Sequence, residues 1–378
     1  MRIVLNGVET NNKGAELMLY AILQEIERKF PDAEVFMPYL ALRQGLDYVK
    51  TGLKFRYKPS SWLIKCKVQG VLRRLRLAQK YYDTDTYPIK DVDYFIDASG
   101  FAISDQWHLS PVNVEHWRLL LSGMKKSGAK IVFLPQAFGP IGNETTKQAL
   151  GIINQYADLI MPREKVSLKY LNDANVNPDK IRCYTDFTSV VAATVPAAYS
   201  HLADGVCIIP NMRMIDKGTI TLEAYLAIIE NIADLCMASG HKVYMLNHEG
   251  ADDAELGRIC VERIGKGIEL VTGLNALEVK GLISTSYLCI TSRFHGVASA
   301  LNSCVPCLAT SWSHKYEELF RDYGMTDCVL DLTDMQSITA RVSEFLSPDT
   351  NAMIRGRLAQ RLPAIKQATR EMWDAVWQ

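Results

Sequence analysis

An arginine and a histidine two positions apart, Arg293 and His295, follow a short apolar run in the stretch LCITSRFHGVASALNSC. A guanidinium stays charged at any physiological pH, and an imidazole exchanges its proton near neutrality. Together they could hold a small anion and deliver a proton to it. The apolar run at 287–290 has the length and composition of a buried strand, and the small residues at 297–301, behind Gly296, read as a helix. In an open α/β sheet such a turn is where ligands collect, because loops converge at the carboxyl end of the strand and the next helix offers its positive end. The competing reading, a surface arginine and a core histidine, is weighed against the rest of the chain.

The elements around this stretch repeat its pattern. Apolar strands at 3–5, 34–37, 93–97, 130–134 and 159–161 alternate with helices at 14–29, 116–127 and 147–156. The alternation resumes with strands at 206–210, 242–246, 269–271 and 305–309 and helices at 222–239, 252–264 and 276–284. Alternation of this kind predicts α/β units with parallel sheets, here two Rossmann-like domains facing one another across a cleft. The expected boundaries are 1–190 for the N-terminal domain, with a basic, aromatic helical insertion at about 39–87, and 205–348 for the C-terminal domain. Residues 349–378 read as a helix packing back on the N-terminal domain. The segment 186–204, rich in Thr, Ala, Pro and Ser, reads as the linker.

Several strand ends carry small, polar or charged residues: Asn12 and Gly14, Ser99 and Gly100, Gln136, Arg163 with Ser167 shortly after, and His248. Drawn from both halves, they predict a cleft lined for a polar, anionic substrate.

Composition narrows the classes. The 378 residues carry 42 Lys plus Arg and 42 Asp plus Glu, so no overall basic field draws in nucleic acid. No apolar run is long enough to span a bilayer, and the start, MRIVLNGVETNNKG, reads as a strand and polar turn and not as an export signal, which predicts a cytoplasmic protein. Nine cysteines, an odd number scattered through apolar runs, read as structural thiols, the Cys304–Cys307 pair included. No set of His and carboxylates has metal-ligand spacing. The insertion, with Arg73, Arg74 and Arg76, has two readings: a solvated basic face, or a peripheral contact with the inner face of the membrane.

Four motifs in order, NNKGAELML, LPQAFGP, MPREKVS and TSRFHG, resemble the polysaccharide pyruvyl transferase family over nearly the whole chain. The resemblance implies a fold similar to GT-B glycosyltransferases and transfer from phosphoenolpyruvate to a sugar, glycan or lipid-linked oligosaccharide, in capsule or exopolysaccharide biosynthesis. It places the acceptor on the N-terminal side and the donor on the C-terminal side. It also implies catalytic roles for Arg163, Arg293 and His295, and substrate binding by Lys315 in the segment Ser-His-Lys-Tyr. Two departures bear on the acceptor: Ala15, not an acid, follows Gly14, with Glu16 next, and the glycine-rich second motif is reduced to Ala98-Ser99-Gly100.

The residue types suit that chemistry. Phosphoenolpyruvate presents a carboxylate and a phosphate, which Arg163 and Arg293 could each grip in a two-bond fork while Lys315 adds a point charge. His295 is the expected general acid for the vinyl methylene. Phosphoenolpyruvate is a co-substrate, and no cofactor or metal is expected. Two alternatives stand: a GT-B glycosyltransferase using a nucleotide sugar, and a non-catalytic binding protein for anionic sugars.

Overall fold

A computed structural model describes residues 1–37, 91–216, 220–310 and 314–378; the insertion expected at about 39–87 lies outside the described residues. Strands β1 (Arg2–Asn6), β2 (Glu34–Phe36), β3 (Tyr94–Asp97), β4 (Lys130–Gln136) and β5 (Leu159–Pro162) pair in parallel in the order β2-β1-β3-β4-β5. A second parallel sheet, β10-β9-β6-β7-β8, is built from β6 (Val206–Ile209), β7 (Val243–Leu246), β8 (Glu269–Val271), β9 (Leu288–Thr291) and β10 (Cys307–Ala309). Every residue of β5, β6, β7 and β9 is buried, as expected of parallel strands covered by helices on both faces.

The helices are α1 (Lys13–Lys29), α2 (Pro111–Lys126), α3 (Glu144–Tyr156), α4 (Lys165–Asp173), α5 (Arg213–Asp216) and α6 (Leu222–Ala238). They continue with α7 (Gly250–Ile264), α8 (Ala276–Ser284), α9 (Phe294–Asn302), α10 (His314–Asp322), α11 (Met335–Leu346) and α12 (Pro348–Trp377). Helix α2 starts ahead of the expected 116 because Ser110 and Asn113 form a capping box around Pro111, a signal that apolar periodicity alone does not contain. None of the helices among the described residues is long and apolar enough to cross a membrane.

The α/β class with two parallel-sheet units is as expected, but chain order misassigns one segment. One compact unit comprises Met1–Thr10, Ile22–Thr185 and Met372–Gln378; the other comprises Asn11–Ala21 and Asp186–Glu371. Asn11–Ala21, expected within 1–190, belongs to the second unit because its backbone is bonded there: Asn12 bridges Glu249, and Lys13 N–H donates to the His248 carbonyl at 3.1 Å. The final helix also divides, with only Met372–Gln378 counted in the first unit.

The expected linker is packed structure in its first turn. Phe187, Thr188 and Ser189 are buried. Lys280 on α8, itself buried, donates from Nζ to the carbonyls of Thr188 at 2.9 Å and Val191 at 3.0 Å. Buried carbonyls need donors, and a lysine amine can supply two bonds even when neutral.

Burial lowers the Lys280 pKa from 10.5 to about 8. Between those values the unfolded chain holds a proton that the folded chain has released, so this group makes stability rise with pH across that window and contributes its full penalty below it. Urea unfolding at pH 8, 9 and 10 should therefore show wild type gaining on Lys280→Met, by up to about 1.4 kcal/mol per pH unit. A constant gap between the two proteins would remove Lys280 from the account.

Candidate active site

In the second sheet the strand order reverses between β6 and β9, and the carboxyl ends of these neighbours form the crevice where open α/β sheets bind ligands. The loop Ser292-Arg293 leaves β9 there and enters α9. It is held from several directions. The Ser292 carbonyl accepts from Asn211 Nδ2 at 3.0 Å and from the Tyr316 hydroxyl at 2.8 Å. Ser292 Oγ meets the Tyr225 hydroxyl at 3.0 Å and contacts Thr310 Oγ1, and Arg293 N–H donates to Thr291 Oγ1 at 3.0 Å. Gly296 completes the turn, since a Cβ there would lie 2.6 Å from Thr291 Oγ1.

Arg293 was expected to clamp a substrate anion, yet its guanidinium is engaged within the protein. Nε donates to Asp253 Oδ2 at 2.9 Å, Nη2 contacts the same oxygen, and Nη1 contacts Glu249 Oε2. Burial pushes the Asp253 carboxyl up to about 7 and the Arg293 guanidinium down to about 10, the desolvation cost that an ion pair inside a protein must offset. The other Asp253 oxygen, Oδ1, accepts from Met212 N–H at 3.0 Å, which ties the segment after β6 to the same cluster.

His295 occupies the first turn of α9, its side chain 11% exposed. Nε2 lies 3.3 Å from Oδ2 of Asp186, a buried residue in the segment expected to be linker. On the other side, a Cβ on Gly14 would lie 2.3 Å from Nδ1, so the ring occupies the place that any side chain at position 14 would take. Asn12 sets that approach by capping α1, its Oδ1 accepting from Gly14 N–H at 2.8 Å and Ala15 N–H at 3.3 Å. His248, at the end of β7, is buried, and its Nδ1 has no hydrogen-bond partner among the described residues. Burial first, then the positive charges of Arg293, His295 and Lys13, push His248 well below the ordinary imidazole range and hold it neutral. Lys315 on α10 places Nζ 5.9 Å from the centroid of the Phe294 ring and 5.5 Å from that of Tyr316.

Asn12, Gly14, His248, Arg293, His295 and Lys315 thus belong to the second unit. Ser99, Gly100, Gln136, Arg163 and Ser167 belong to the first, whose strand order reverses between β1 and β3. There the carboxylate of Asp97 accepts from Asn6 Nδ2 at 2.8 Å, Ser99 Oγ at 2.9 Å and Gln136 Nε2 at 3.1 Å. Burial outweighs these bonds and pushes the Asp97 carboxyl up. Arg163, buried at the end of β5, donates its N–H to the Gln136 carbonyl at 2.9 Å. Ser167 has a supporting place: Phe138 N–H donates to its Oγ at 2.7 Å while its own N–H donates to Glu164 Oε1 at 3.1 Å.

Asp97, Asp186 and Asp253 were absent from the expected site. Asp97 could have been found by the strand-end rule that found Ser99. Asp253 faces Arg293 from one turn inside a helix, and no local pattern marks Asp186.

The family profile described as "Polysaccharide pyruvyl transferase" matches residues 12–314. The chain is 21% identical over 317 residues to the amylovoran biosynthesis protein AmsJ of Erwinia amylovora, covering 78% of this chain and 75% of that one. Among solved structures it resembles UDP-GlcNAc 2-epimerase from Neisseria meningitidis bound to UDP-GlcNAc, with a TM-score of 0.65, 9% identity and 100% coverage of both chains. It also resembles the lipopolysaccharide outer core galactosyltransferase WaaB, with a TM-score of 0.53, 11% identity and 100% and 99% coverage of this chain and that one. At such identity these two share the fold, a pair of Rossmann-like domains of GT-B type.

The buried ion pairs make a stability prediction. Arg293→Ala should cost about 3–5 kcal/mol, because it strands the Asp253 charge, and adding Asp253→Asn should recover part of the loss. A double-mutant cycle by denaturant unfolding measures this, and additive losses would count against the coupling.

Proposed function

Because the chain belongs to the polysaccharide pyruvyl transferase family, we propose that it transfers the enolpyruvyl group of phosphoenolpyruvate onto two hydroxyls of a sugar, forming a pyruvate ketal in surface polysaccharide biosynthesis. The coarser statement, a transferase of polysaccharide biosynthesis, accords with the likeness to AmsJ. The observation that carries the finer reading is the imidazole of His295, held in the first turn of α9 at the point where the second sheet reverses its strand order.

In this reading the imidazolium of His295 gives a proton to the methylene carbon of phosphoenolpyruvate. The double-bond electrons take it up, leaving a cationic centre at the carbon that bears the carboxylate and the phosphate. A sugar hydroxyl adds to that carbon and releases a proton, which restores the imidazolium. The carbon–oxygen bond to phosphate then breaks, and phosphate leaves with the electron pair. The second hydroxyl closes the ketal, and its proton goes to the phosphate.

The N–H groups opening α9 offer a partial positive charge to the donor's anionic groups. Lys315 adds a full one. Arg293, neutralised by Asp253 and Glu249, positions the loop that carries His295 and is not the main anion clamp. His248, kept neutral, can offer a polar contact without adding charge. Arg163 enters this reading through the motif MPREKVS alone and is tested by itself. In the first unit, Ser99, Gly100 and Gln136, arranged around Asp97, suit the binding of sugar hydroxyls.

Phosphate release from phosphoenolpyruvate with a lipid-linked oligosaccharide acceptor is the direct test. The reaction balances without a metal ion, so release should persist in EDTA. His295→Ala should lower it by about 10²–10⁴-fold with an unchanged circular dichroism spectrum. Gly14→Ala, which drives a methyl group into the ring, should act in the same direction. Arg163→Ala should raise KM for phosphoenolpyruvate. Thermal stabilisation by UDP and not by phosphoenolpyruvate would favour a nucleotide-sugar transferase instead.

A further inference from the structure

Asp186 lies in a stretch of Thr, Ala, Pro and Ser without periodicity, yet it is 4% exposed and faces the imidazole of His295. Its two oxygens have separate tasks. Oδ1 caps the 3₁₀ turn Phe187–Val190, accepting from Thr188 N–H at 2.9 Å and from the Thr188 hydroxyl. Oδ2 lies 3.3 Å from His295 Nε2. The turn is itself anchored, because Lys280 Nζ donates to the Thr188 carbonyl and Ser189 Oγ meets Thr369 Oγ1 at 2.8 Å on α12. The carboxylate is therefore fixed from behind, and the ring is confined between it and Gly14.

We propose that Asp186 is a positioning residue for His295: it anchors Nε2 and directs the Nε2–H tautomer of the neutral ring. A carboxylate at this distance restricts ring rotation, which a proton donor at a carbon centre needs. The other charged groups near the pair are known. His248 and the Arg293 guanidinium come from loops at the same strand ends, and both would be repelled by a charged ring; His248 is neutral, and Arg293 is offset by Asp253 and Glu249. Lys280 and the hydroxyl of Tyr323, which is bonded to Asn302, also feel the charge of Asp186.

The role of Asp186 in turnover rests on the reading of His295 as proton donor; its effect on the ring does not. Asp186→Asn separates the two, because asparagine caps a turn as well as aspartate and retains an acceptor for Thr188. The His295 ring signals, assigned by their loss in His295→Gln, are followed by NMR across pH in wild type and Asp186→Asn. The expected result is a neutral wild-type ring protonated on Nε2 and a mixture of Nδ1–H and Nε2–H forms in the variant. In the phosphate-release assay, kcat should fall by about 10–100-fold while KM for phosphoenolpyruvate changes little. An unchanged tautomer in Asp186→Asn would overturn the proposal. A changed tautomer in a protein whose wild type releases no phosphate from phosphoenolpyruvate would uphold the pair and overturn the proposed reaction.

Discussion

A guanidinium with only 11% of its side chain exposed must be met by negative charge, and that requirement organises the second unit. Arg293 meets Asp253 from α7 and Glu249 from the end of β7, and Asp253 in turn receives Met212 N–H from the segment after β6. Three connections that are far apart in the chain are thus bound to one another around a single cation. The loop after β9 inherits its rigidity from this arrangement, and His295 is the next residue but one. The imidazole is thus placed by a neighbour whose own charge is already met within the protein.

The first unit reaches a similar end with different means. Its buried carboxylate, Asp97, is surrounded by neutral donors on Asn6, Ser99 and Gln136, drawn from three adjacent strands. Neutral partners do not offset desolvation as a cation would, and so burial keeps this carboxyl up. The two sheets thus present different electrostatic surfaces at their points of reversal: a set of aligned amides and hydroxyls in one, a balanced set of full charges in the other.

Much of this was legible in the chain. Parallel strands buried on both faces are nearly continuous apolar runs, so β6, β7 and β9 stood out, and the polar residues after them marked the ends at which sites form. What escaped was whatever depends on contact between distant segments. Asp186 carries no local signature and becomes significant only because His295 lies beside it. Nor does a sequence show that Asp253 and Glu249 will fold against Arg293. Chain order likewise put Asn11–Ala21 with its neighbours in sequence, whereas hydrogen bonds to His248 and Glu249 put it with the second unit.

That last grouping has a consequence in time. Gly14 and the ring it accommodates lie roughly 280 positions apart; at a synthesis rate of about 5–20 residues per second, roughly 15–60 seconds separate their emergence from the ribosome. A domain assembled strictly in order of synthesis could finish its first half and move on. Here the segment from Asn11 to Ala21 must stay available until the last strands of the second sheet emerge, so His295 finds its seat only when a newly made part of the chain meets one made long before it.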